Sequence, residues 1–153
     1  MRSFFNRFFL GFCLILTTLH SFAAPAATGF VDLGDDPPLE LANISAGVPR
    51  GESLPESDPR VKQSRAWLSQ AAKACGESEE WVAANALKLS RYLFTSLGVR
   101  ATPLEVLEAY GRLATPGKPL SEVSAAYFGA RRDAPGRSHE AAMKALLEAP
   151  RAN

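Results

Sequence analysis

The sequence predicts an all-α fold: a small bundle of about five helices preceded by a disordered acidic, proline-rich arm. Three observations carry this reading. After Pro59, apolar residues recur at three- and four-residue spacing, and no alternating pattern of the kind a half-buried strand writes competes with them. Helix start and stop residues punctuate those runs. Before Pro59 the composition shifts to proline, glycine and acid.

The clearest stretch is residues 78–114. This stretch, two helices joined by a tight turn, is the expected organising element, and Trp81, Val82, Ala86, Leu89, Leu93 and Leu97 fall on one face of its first helix, which makes that helix core. Ser78 is its expected N-cap, with Glu79 and Glu80 at the positive end of the helix dipole. Gly98 supplies a left-handed stop with apolar Val99 beyond it. Thr102, Pro103 and Glu105 then spell an N-cap, a first-turn proline and a capping-box carboxylate.

The remaining helices are placed by the same signals. Asp58 and Pro59 open a helix that runs to about Cys75 and stops at Gly76, with Val61, Leu68, Ala71, Ala72 and Cys75 on one face. After Thr102, the residues Val106, Leu107, Tyr110, Leu113 and Ala114 make the apolar side of the next one. A further helix begins around Pro119 and buries Leu120, Val123, Tyr127 and Ala130, with Arg131 and Arg132 at its negative end. Residues 133–137 read as a turn. Ser138 caps a last helix from His139 to about residue 149, with Met143, Leu146 and Leu147 facing inward, and Pro150 ends the domain. The strings that start at Pro103 and Pro119 echo each other only with gaps, and a repeat architecture needs at least three units. The domain of residues 59–150 is long enough for a modest single core, and residues 151–153 are a tail.

The chain of 153 residues, 46% hydrophobic and 22% charged, holds more than this domain. Arg2 and Arg7, the apolar run at 8–19 and the small residues Ser21 and Ala23 predict a signal peptide over residues 1–23, cleaved after Ala23. The expected destination is the periplasm or the medium. A spanning helix needs about 20 apolar residues, so contact with a membrane is expected only if that leader stays uncleaved. Residues 24–58 carry prolines at 25, 37, 38, 49 and 55 and seven acidic residues against Arg50, a net charge of −6. Phe30, Val31 and Leu33, then Leu39, Leu41 and Ile44, are its two apolar clusters. These are too sparse for a core and suit disorder with transient docking.

Several chemistries are excluded by residue type. Without its leader the chain keeps one cysteine and one histidine, which rules out sites built from several His and Cys ligands and any internal disulfide framework. No Asp-rich loop has the spacing of a calcium site, so no metal and no cofactor is expected. Cys75 is the odd thiol, buried and inert or paired with a second copy in a homodimer; a helix C-terminus disfavours the thiolate a nucleophile needs. His139 and Glu140 are adjacent and so do not face each other as a catalytic pair. No nucleophile elbow or phosphate loop is present.

The binding candidates are the aromatic residues Trp81 and Tyr92 and the dense basic cluster Arg131, Arg132 and Arg137. From Pro59 onward 14 basic residues face nine acidic ones, but the excess is spread out and the chain is exported, so nucleic acid is not the expected partner. The expectation is a non-catalytic exported protein that binds another protein, an acidic one if the arginines make the contact, in the manner of an inhibitor or immunity-type protein. The alternative is a small exported hydrolase or ligand-handling enzyme whose site the sequence does not reveal.

Overall fold

The computed structural model describes residues 33–149. The predicted leader, residues 24–32 of the arm and residues 150–153 lie outside that range. The helices are α1 (Pro37–Ala46), α2 (Pro59–Cys75), α3 (Glu79–Leu97), α4 (Pro103–Leu113), α5 (Leu120–Asp133) and α6 (His139–Glu148), with a 3-10 turn at Pro135–Arg137. The protein is all-α, and no strand occurs among the described residues.

Local chemistry accounts for where the helices begin. The Asp58 side chain accepts the Arg60 N–H at 2.9 Å to open α2, and its hydrogen bonds from the Arg60 guanidinium and backbone hold its pKa down at about 2. Ser78 accepts the Trp81 N–H at the start of α3. The α4 capping box is complete: Thr102 Oγ1 accepts from Glu105 N at 3.1 Å, and Glu105 Oε2 accepts from Thr102 N at 3.3 Å. Ser138 caps α6 through Ala141 N.

The expected arm is in part built into the domain. Residues 33–58 contain α1, which packs on α2, α3 and α4, with Leu41 and Ala42 completely buried and Leu33 nearly so. Asp36 caps it through Leu39 N, Pro37 and Pro38 fill its first turn, and Gly47 ends it in the left-handed region. Two of the arm's carboxylates, Asp36 and Glu56, clamp Arg65 of α2 at 2.7 and 2.8 Å. The Asn43 side chain accepts from Leu54 N and donates to Ser53, which pins the following loop. Ser45 Oγ accepts the first-turn N–H of Leu104 in α4. Sparse apolar residues suffice because α1 completes a core that the other helices have already built.

Within the expected organising stretch of residues 78–114, the hub is α4. It touches each of the other five, and Val106, Leu107, Ala109, Tyr110 and Gly111 are buried around it. Gly111 explains how α2 comes so near: a Cβ there would sit 2.9 Å from the Trp67 side chain and 3.0 Å from its Cα. The stripe Leu120, Val123 and Tyr127 faces inward as expected, and so does Met143, whereas Leu147 is 40% exposed.

Candidate functional site

A polar cleft of about 580 Å³ opens where the α3–α4 turn meets the α5–α6 turn, and it gathers Arg131, Arg137 and His139 with Glu105 and Arg100. Arg131, Arg132 and Arg137, expected as a basic cluster, each have partners within the domain. Arg131 is only 3% exposed: its Nη1 donates to Glu105 Oε2 at 3.0 Å and to Tyr127 Oη at 2.8 Å, and its Nε to the Arg137 carbonyl at 2.9 Å. Arg132 lies in solvent, paired with neighbouring Asp133 at 2.7 Å. Arg137, held at a left-handed φ of 52°, donates to the Leu97 carbonyl and so caps the end of α3. Three arginines close in sequence are thus spent on three separate tasks within the domain.

His139 joins the same network. Its Nδ1 lies 2.7 Å from Tyr127 Oη and its Nε2 lies 3.2 Å from Glu108 Oε2. Tyr127 Oη accepts from Arg131 and shares a hydrogen bond with Nδ1, while Nε2 faces the Glu108 carboxylate. Burial raises the Tyr127 pKa to about 12, against the opposing pull of Arg131. The hydroxyl therefore remains protonated at neutral pH. The string Glu105, Arg131, Tyr127, His139, Glu108 ties α4, α5 and α6 together. Among the described residues no Ser, Thr or Cys hydrogen-bonds to the imidazole. Adjacent Glu140 was not expected to face His139; its carboxylate partner is Glu108, 31 residues earlier, because α4 and α6 pack side by side.

The aromatic candidates separate by burial. Tyr110 and Tyr127 are core, and Trp67 lies half-buried against Gly111. Trp81 is 39% exposed, with Lys88 Nζ 5.7 Å from its ring centroid. Tyr92 is 55% exposed and stacks on Phe128 of α5 with centroids 5.2 Å apart. Cys75 is half-buried at the end of α2, and burial pushes its thiol pKa up, with Glu77 adding to the shift.

A second concavity, of about 530 Å³ and mostly apolar, lies between the end of α1, α3 and the α3–α4 turn. Leu87 and Pro103 are buried in its lining, while Phe94 is 54% exposed and Ile44 39% exposed. Arg91 and Arg100 border it, and no carboxylate lines it. Arg60, Arg65, Arg112, Arg131 and Arg132 all pair with carboxylates, but Arg91 and Arg100 have no partner among the described residues. Sequence reading missed this groove. Phe94 sits at helical spacing from Leu87 and Leu97, so in the sequence it reads as one more core residue of α3.

Among the described residues no group of three or more His, Cys, Asp or Glu is placed to hold a metal ion, and no helix is long and apolar enough to cross a membrane. Comparison with protein-family models, with curated proteins and with solved structures returns no match.

Proposed function

We propose that the mature chain is an exported, non-catalytic helical protein that works by binding another protein through the groove between α1 and α3. The observation that carries this is the composition of the groove: two exposed large apolar residues, Phe94 and Ile44, bordered by two arginines with no partner among the described residues. Apolar anchors beside arginine are the usual make-up of a binding hot spot. Export rests on the leader pattern of Arg2, Arg7 and the apolar run that ends before Ser21. An inhibitor or immunity-type role is the narrower form of this reading.

Affinity capture from periplasmic extract tests it with three baits. The natural chain and Tyr92→Ala are expected to retain one stoichiometric partner that Phe94→Ala loses. A partner indifferent to Phe94, or no partner at all, defeats the reading. The runner-up, a small hydrolase or ligand-handling enzyme, is favoured by the pairing of Glu108 with His139, which lines the polar cleft. It requires hydrolytic activity that His139→Gln abolishes while the fold persists.

A further inference from the structure

Resting on that protein-binding reading, we infer that the groove receives an acidic segment of the partner, in which an apolar side chain enters between Ile44 and Phe94 and an adjacent carboxylate meets Arg91 and Arg100. Charge complementarity carries the step. Elsewhere in the domain most guanidinium groups have found a carboxylate, even where the partner is distant in sequence, as for Arg65 with Asp36 and Arg131 with Glu105. At the groove two positive charges share an apolar concavity in which no acidic residue answers them. Low-polarity walls focus such a field and strengthen the attraction for an incoming anion. The planar guanidinium fork matches a carboxylate in particular.

The neighbouring polar cleft lacks these properties. Glu105 and Glu140 line it, and Arg131 and Arg137 are already engaged within the domain. Arg100 lines both concavities, so the anion is placed at the end of the groove nearest the α3–α4 turn. The volume lies within the roughly 300–1,000 Å³ typical of small-ligand sites, enough for one side chain with its flanking carboxylate.

The test uses N-acetylphenylalanine as its carboxylate and as its primary amide, titrated into the ¹⁵N-labelled exported chain. The carboxylate is expected to bind with a Kd of about millimolar order and to shift the amides of Phe94, Ala101 and Thr102. The amide should bind about tenfold more weakly, and Arg100→Gln with Arg91→Gln should reduce the carboxylate to the level of the amide. Equal binding of the two probes, or shifts confined to Arg137 and His139, overturns the inference. So do groove signals that move with protein concentration alone, which would make the occupant a second copy, or that move when residues 24–32 are removed, which would make it the chain itself. Should the probes fail to discriminate while Phe94→Ala still abolishes partner capture, only the acidic chemistry falls. If the carboxylate is preferred but capture ignores Phe94, the inference is overturned together with the groove's role in protein binding.

Discussion

The polar cleft and the apolar groove lie on either side of Arg100, and they treat positive charge in opposite ways. In the cleft, Arg131 is buried, its Nη1 and Nε shared among Glu105, Tyr127 and the Arg137 carbonyl. In the groove, Arg91 and Arg100 have no partner among the described residues, and apolar Phe94 and Ile44 stand open beside them. A buried ion is tolerated only when other groups satisfy it, so the cleft's network holds helices together. An unpaired surface ion costs the fold little and leaves its attraction available to another molecule. Density of arginine in the sequence therefore pointed to side chains engaged within the domain, whereas Arg91 and Arg100 stand apart in the sequence.

The largest effect that separates the two sides is expected at high pH. Burial raises the pKa of both Tyr110 and Tyr127 to about 12, against about 10 in an unfolded chain. The folded state thus favours the neutral phenols. That stability is complete below pH 10 and is lost as pH rises through 12, by about 5 kcal/mol for the two together. Tyr92 is the chain's third tyrosine, so Tyr92→Phe leaves only the buried pair to observe. Tyrosinate absorbance and loss of helical circular dichroism should rise together in that variant; ionisation near pH 10 with the helices intact would show that the phenols are not sealed.

Arg131→Leu is the next largest perturbation. It strips Tyr127 and Glu105 of their shared donor and should cost about 3 kcal/mol in denaturant melts. A loss below about 1 kcal/mol would mean that the network contributes geometry without stability.

Thr102→Ala tests the turn between the two sites, because Thr102 lines the groove while its capping partner Glu105 reaches into the cleft. The expected cost is about 1 kcal/mol. Stability unchanged in the melt would show water replacing the cap.

Arg91→Gln and Arg100→Gln should have the smallest effect, within about 0.5 kcal/mol of the natural chain. A substantial loss from either would give that arginine a structural role and erase the contrast with Arg131.

Much of the fold was legible because its signals are local. The caps at Asp58, Ser78, Thr102 and Ser138, and the stripes of α2 to α5, depend on residues a few positions apart. α1 carried equally local signals in Asp36, Pro37 and Gly47, yet acidic, proline-rich composition pointed to disorder. Composition misleads there because burying Leu41 needs no second core, only a vacant flank on α2 and α4. Of the site residues, Tyr92 and Trp81 are exposed and Arg131 is buried, while Arg100 and Phe94 were not singled out.

By itself the sequence determined the helical class and the positions of most helix ends, since both follow from short-range hydrogen bonding. Tertiary structure alone decided that α4 is the hub, that His139 meets Glu108 and Tyr127, and that Ile44 of α1 lies across a groove from Phe94 of α3. These relations join residues 12 to 50 positions apart. They are set by which helices pack and how closely, as with the bare Gly111 under Trp67, and a periodic apolar stripe states only that a face is buried, not what it is buried against.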